Sequence, residues 1–193
     1  LGERREIGGG ERQPMGRMAQ QVAFQQHLAH GAAVLGEHGL FPSPAESALV
    51  LALDGTGWGP DDTAWGGEWI ELYGDLSWRR LARLEPLPLV GGERAVREPW
   101  RVAVAALVLA DADSLIPQSA LAHELEPGRL AGVQSLVGSN NWPLASGAGR
   151  VFEAGGALLG CGHSNRFEGE LAVRLESLAS AASNDRSRAT PSA

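Results

Sequence analysis

Lysine is missing from this chain. All sixteen basic residues are arginines, set against 23 Asp and Glu, which leaves a formal net charge of −7 over 193 residues. The missing lysine reads as the imprint of a GC-rich coding bias. The shortage of positive charge argues against non-specific nucleic-acid binding, which needs a basic surface to displace counterions from phosphates. Cysteine is nearly missing as well. Cys161 stands alone, which excludes an internal disulfide and a four-thiolate zinc site. Nothing around it marks an activated nucleophile, and it reads as a buried structural thiol. No apolar run approaches the ~20 residues of a membrane span. The first residues lack the charged, apolar and small-residue order of a secretory signal. No repeat with a period of roughly 20–50 residues is present. A soluble, cytoplasmic protein that binds neither nucleic acid nor membrane is the expectation. Against these absences, 44% of the residues are apolar, enough for the core of one domain or of part of a larger one.

Periodicity divides the chain into three parts. Residues 1–20 are rich in Gly, Arg and Glu and read as poorly ordered. Residues 21–182 carry the folded pattern, and the polar segment 183–193 reads as a disordered tail. Within the folded part, apolar residues from Met18 to His38 recur at helical steps, with Gly39 as the stop. Ser47–Leu53 is a short apolar run that ends in an acidic, glycine-rich turn, Asp54–Asp62, as a buried strand does when it delivers a carboxylate to a site. Ala64–Tyr73 reads as a second strand and Arg79–Leu84 as a third, with a short helix the alternative for the latter; three strands joined by turns make an antiparallel meander rather than alternating βα units. Helices follow over 100–110, over 118–137 with an interruption at Pro127-Gly128, over 150–159 and over 168–182. Pro99 is well placed for a first helical turn.

Four strings could carry chemistry. In Gln26-His-Leu-Ala-His30, the i,i+3 pair His27 and His30 can converge on one metal; on spacing alone the two histidines read equally as helix-surface residues. Asp54-Gly-Thr-Gly57 lets backbone N–H groups approach an anion or a metal-bound phosphate, or is simply a tight turn. In Gly91-Gly-Glu-Arg94-Ala-Val-Arg97-Glu-Pro-Trp-Arg101, three guanidinium groups (Arg94, Arg97 and Arg101) suit an anionic group, or pair with Glu93 and Glu98 to fix a loop onto a helix start. Ala145-Ser-Gly-Ala-Gly149 followed by Arg150 exposes free N–H groups at a helix N-terminus, an anion site or a close-packed cap.

In this order, and with Trp65-Gly-Gly-Glu68 after the turn, these strings resemble the transfer domain of the HypF-type carbamoyltransferases that mature [NiFe] hydrogenases. Gly-Arg150-Val-Phe-Glu153, where the family usually has Asp, and Phe167-Glu-Gly169, where it usually has Tyr-Glu-Gly, extend the likeness. The resemblance implies an α/β (α+β) fold of the actin-like, ribonuclease H-like superfamily of sugar kinases, Hsp70 and actin. This would be a half-domain with a three-stranded antiparallel meander and surrounding helices. It implies a divalent metal, iron or zinc, on His30 and Asp54. The family's other ligand falls on Gln26, a departure that His27 could offset, because an amide is a weaker ligand than imidazole. It implies nucleotide or phosphate binding by Gly55, Thr56, Gly57, Gly149 and Arg150. The reaction implied uses carbamoyl phosphate and ATP, through a carbamoyl-adenylate, to carbamoylate the C-terminal cysteine of HypE. No residue is assigned as catalytic. Family segments upstream and downstream have no counterpart, so a fragment, a truncated product or a degenerate, inactive copy is expected. A natural-product O-carbamoyltransferase is the remaining alternative, against which the Arg-Glu-Pro-Trp-Arg string argues.

Overall fold

The computed structural model describes residues 25–139 and 141–189, with side chains through Ser183. The segment 1–20 and the end of the chain beyond Ala189 lie outside the described residues. Helix α1 runs over Gln26–Glu37; residues 18–24 of the helix expected from Met18 lie outside the described residues. Its start is fixed locally: Gln25 is extended, and its side-chain oxygen accepts the Leu28 N–H at 3.1 Å, supplying a partner to an otherwise orphaned donor of the first turn. Gly39, with φ of 64°, follows the last turn and ends it.

Strands β1 (Ser47–Trp58), β2 (Ala64–Tyr73) and β3 (Trp78–Arg83) form the meander, antiparallel throughout. The expected turn at Asp54 is not a turn. β1 continues to Trp58, and the register shifts between Leu53, opposite Gly67, and Gly57, opposite Trp65. Asp54, Gly55 and Thr56 therefore face Gly66 alone, and the surplus residues bulge out of the ladder. The hairpin reverses later, at Gly59–Thr63, where Asp61 accepts from Thr63 Oγ1 and Trp65 Nε1, both at 2.7 Å, and from Arg80 Nη2 at 2.6 Å. Two-residue strands β4 (Leu87–Pro88) and β5 (Leu144–Ala145) complete a five-stranded sheet, β5 lying parallel to the start of β2. Strands this short leave no periodic trace in sequence.

Two apolar clusters flank this sheet. Leu28, Ala32 and Leu35 of α1 pack with Val50, Trp65, Ile70, Leu72 and Trp78. Full burial of residues such as Ile70 and Leu72 contributes about 1.5–3 kcal/mol each. The larger cluster is helical. After α2 (Glu93–Arg97), helix α3 (Trp100–Leu109) is buried from Trp100 through Ala105, because its apolar residues run around most of its circumference. A 3-10 segment (Asp113–Gln118), α4 (Leu121–Glu124) and α5 (Pro127–Leu136) take the place of the single interrupted helix expected there. Pro127 starts α5 instead of breaking a longer helix, since its missing donor costs nothing at the first position. Helix α6 (Ala148–Leu158) lies against α3 and against α7 (Glu170–Ala189), whose Leu171 backbone fits over Gly156. α7 continues seven residues past the expected start of a tail at Ser183, because neither glycine nor proline occurs between Gly169 and Pro191.

No described strand pairs with the outer edge of β1. Leu49, Leu51 and Leu53 stand 65%, 50% and 60% exposed along it, beside a groove of about 490 Å³ between β1 and α1. None of the described helices is long and apolar enough to cross a membrane.

Glu170 ties the start of α7 to the preceding loop. It accepts from the Arg166 backbone N–H at 2.7 Å and from Arg166 Nε at 2.9 Å, and it pairs with Arg174 at 2.7 Å. These bonds, Arg166 foremost, hold its carboxyl at about 2 against an ordinary 4.5. A carboxylate depressed in the folded state stabilises fully above its unfolded value and loses that contribution as pH falls through its folded value. Glu170→Gln is therefore expected to melt lower at neutral pH, and to lose less melting temperature than the parent between pH 4.5 and about 2, in thermal scans followed by circular dichroism.

Candidate functional site

The β1 bulge brings three of the expected strings to one place. On one side stands the first turn of α1. Gln26 Nε2 donates to Asp54 Oδ2 at 2.9 Å, and the Gly55 N–H donates to Asp54 Oδ1 at 2.7 Å. His27 is 1% exposed, and its Nε2 faces the same Oδ2 at 3.6 Å, too far for a hydrogen bond. Gln25 orients that ring. Its Oε1 is taken by the Leu28 N–H, so its Nε2 donates to His27 Nδ1 at 2.6 Å. Nδ1 is thereby an acceptor, and in the neutral ring the proton sits on Nε2, toward Asp54. Burial lowers the imidazole pKa below 6.5, against the opposing pull of Asp54 and Glu68, and so keeps the ring neutral. Gly57 is the floor of this corner: a Cβ there would overlap His27 Cε1. His30 is exposed, one turn along α1, and lines the groove that ends at Asp54.

On the other side stands the start of α6. A side chain on Gly147 would run into the Gly55 carbonyl, and a Cβ on Gly149 would lie 2.8 Å from Gly55 Cα. Glycine at these positions lets strand and helix backbones touch. Arg150 Nη2 and Glu168 Oε1 each lie 3.5 Å from where a Gly55 side chain would begin. Arg150 is buried and paired at 2.9 Å with buried Glu153, which also accepts from Asn165 Nδ2 at 2.8 Å. Burial pushes the Glu153 carboxyl up, opposed by Arg150, Asn165 and the Gly169 N–H. The Nε of Arg150 is buried without a hydrogen-bond partner among the described residues. Gly55, Gly149 and Arg150 thus meet at one junction, whereas Gly57 faces His27 and Gln26 on the α1 side, with Thr56 between them in the bulge.

Beneath the junction lies a residue that sequence reasoning quoted only as part of a pattern. Glu68 is fully buried, accepts from the Ser146 hydroxyl and the Gly66 N–H, and pairs with Arg80 at 3.4 Å. It links β2 to the loop before α6 across 78 positions of sequence, a separation that leaves no local signal. The arginine segment divides. Arg94 and Arg101 both pair with Glu98, at 3.1 and 2.6 Å, and Arg101 stacks on Trp100. Partial burial would raise the Glu98 pKa, but the bonds and charges of these arginines hold it low. Arg97 is exposed instead and lines a shallow pocket of about 350 Å³ with Arg150, Glu153 and Arg166.

The implied metal does not fit this corner. Carboxylate oxygens only accept, so the Gln26 atom at Asp54 Oδ2 is the amide donor and not the oxygen a metal would need. The second Asp54 oxygen takes a backbone N–H, and the His27 nitrogen turned toward the carboxylate carries a proton. Among the described residues no group of three or more His, Cys, Asp and Glu side chains is arranged to hold an ion.

Gly57→Ala is expected to destabilise the fold by about 1–3 kcal/mol through overpacking against His27, measured by urea unfolding. Arg150→Met is expected to cost about 3 kcal/mol by stranding Glu153. Arg150→Met with Glu153→Leu should recover most of that loss, a coupling readable in a double-mutant cycle.

Residues 50–192 match the family model for the carbamoyltransferase Kae1-like domain, second subdomain. The carbamoyltransferase HypF of Rhodobacter capsulatus is 48% identical over 162 residues, covering 82% of this chain and 21% of that protein. HypF2 of Cupriavidus necator is 44% identical over 158 residues, covering 82% and 19%. A crystal structure of full-length HypF in a phosphate- and nucleotide-bound form superposes with a TM-score of 0.67 at 31% identity, covering 80% of this chain and 23% of that one. HypF of T. kodakarensis superposes at 0.66, also at 31% identity, covering 80% and 21%. The chain therefore spans about a fifth of the length of these relatives. Its mixed α/β sheet and helices are part of an actin-like, ribonuclease H-like Kae1-like domain, and the chain belongs to the HypF carbamoyltransferase family.

Proposed function

We propose that this chain supplies part of the carbamoyl-transfer domain of a cytoplasmic enzyme of [NiFe] hydrogenase maturation. The reaction uses carbamoyl phosphate and ATP to form a carbamoyl-adenylate. The carbamoyl group then passes to the C-terminal cysteine thiolate of a HypE-like partner: a C–S bond forms as the bond from carbamoyl carbon to phosphate oxygen breaks, and AMP leaves. The single observation that supports this reading is the glycine junction, where the Asp54–Thr56 bulge meets the N-terminus of α6 with Arg150 beside it. In the proposed role, Gly55, Thr56 and Gly57 keep the strand narrow enough for a phosphate to approach backbone N–H groups. The first turn of α6 adds donors and the positive end of its dipole. Arg150 supplies a fixed cation, held in place by Glu153, which favours the negative charge that grows on the leaving phosphate. Arg97 is a second cation at the rim of the same region, whereas Arg94 and Arg101 serve Glu98.

A second reading, a catalytically inactive remnant, is favoured by one observation: the Gln26 amide donates into Asp54, where the resemblance calls for imidazole and metal.

The test is a chimera. The segment of the Rhodobacter capsulatus relative that aligns with this chain is replaced by the chain itself, and carbamoyl-phosphate-dependent AMP formation and mass labelling of the HypE cysteine are measured. We expect turnover from the chimera, none from the isolated chain, and a loss of roughly tenfold or more when Arg97 is replaced by Ala, on the scale of one charge-assisted hydrogen bond. A folded chimera without turnover would favour the inactive reading. Turnover by the isolated chain would overturn the view that this is one part of an active unit.

A further inference from the structure

We propose that Gln26 turns the corner between α1 and β1 into a metal-independent clasp. In this chain the Asp54 carboxylate is held by hydrogen bonds from Gln26 and Gly55 instead of by a divalent cation.

Which atoms carry protons decides what this corner can bind. Asp54 offers two oxygens. One is 2.9 Å from Gln26 Nε2 and the other 2.7 Å from the Gly55 N–H. An ionised carboxylate presents about four lone-pair directions, and these donors take one on each oxygen. The third group at the corner, His27, presents a protonated nitrogen to it. Its Nδ1 is occupied by Gln25, and its Nε2 points a proton at Asp54 Oδ2 from 3.6 Å. That leaves His30 as the one imidazole free to meet a cation here, exposed and a full turn from Gln26. One imidazole and an amide-bound carboxylate are a poor set for iron or zinc, both of which favour three or more nitrogen, sulfur or carboxylate ligands.

The clasp has a structural role of its own. It joins the first turn of α1 to the bulge of β1 at the end of the groove, while the apolar contacts of Leu28, Ala32 and Leu35 hold the rest of the helix. A metal-bridged corner would tie the attachment of α1 to metal supply and chelators. A hydrogen-bonded one does not. The inference does not depend on whether the chain supports carbamoyl transfer, because metal uptake and melting temperature are read without turnover.

The experiment uses the full chain, incubated with Zn²⁺ or, under anaerobic conditions, Fe²⁺, then desalted for elemental analysis and melted with and without EDTA. The parent is expected to retain no stoichiometric metal and to melt at the same temperature in both conditions. Gln26→His, which restores imidazoles at i and i+4, is expected to retain about one ion per chain, as a closed single-metal site does, and to lose it when Asp54→Asn is added. Gln26→Glu is a second arm that does not rely on the histidine variant folding well. It sets two carboxylates against each other, so its melting temperature should fall in EDTA and recover with divalent cation. Retention by the parent of one ion per chain that Asp54→Asn abolishes would overturn the proposal. So would a folded Gln26→His that gains no metal, or a Gln26→Glu variant indifferent to cations, since either result would mean that residue 26 does not control the corner.

Discussion

Backbone-to-backbone contact at Gly55, Gly147 and Gly149 is the constraint on which the arrangement of this molecule depends. A strand and a helix normally stand apart by the thickness of their side chains. Here the Gly55 carbonyl and Cα sit directly on the first turn of α6, and the space a Cβ would fill on Gly147 or Gly149 is already taken by the Gly55 main chain. Because the contact is so close, the bulge of β1 can present Asp54 toward α1 while its other face rests on α6. Glu68 then fixes the depth of the junction from below by binding Ser146 and the β2 amides. The two apolar clusters, one under α1 and one among α3, α5, α6 and α7, are separate bodies of packing that meet at this seam.

Charge is handled differently on the two sides of the seam. Around α6 a buried cation meets a buried carboxylate, Arg150 with Glu153, and the exposed Arg97 stands nearby without an ion-pair partner among the described residues. This is the side on which the proposed phosphate would sit. Around α1 the carboxylate of Asp54 meets only neutral donors. Neutral donors stabilise the charge without cancelling it, so the corner keeps a net negative charge beside a groove lined by leucines, valines and the neutral Gln26 and His27. The opposite polarity of the two sides is a property of the folded junction. None of the separate strings carries it alone.

The parts of this architecture that were legible in sequence are those with a local cause. The meander follows from apolar runs of strand length separated by turn residues, and α3 from an uninterrupted apolar stretch opened by Pro99. The grouping of Gly55 with Gly149 and Arg150 came from family resemblance, since nothing in spacing brings residues 55 and 149 together. What escaped had non-local causes. The strand-like continuation of β1 through Asp54–Trp58 depends on the bulge opposite Gly66, and glycine-rich sequence signals a turn and a bulge alike. β4 and β5 exist only because they pair with each other and with β2. His27 looked like a spare ligand from its spacing, yet the residue that decides its role is its neighbour Gln25, whose amide selects the tautomer. The arginine segment looked like an anion site because of its density, and Glu98 absorbs two of its three guanidinium groups.

The free flank of β1 carries a consequence for handling the isolated chain. A strand edge with no described partner and leucines at alternate positions from Leu49 to Leu53 is a template for another extended polypeptide, including a second copy of itself. Neither lysine nor proline interrupts that flank between Ser47 and Leu53, and only the bulge at Asp54 breaks it. Protein concentration, more than temperature, will therefore set how long such a chain remains dispersed. Charged substitutions at Leu49 or Leu51 are where its shelf life can be lengthened without touching the glycine seam.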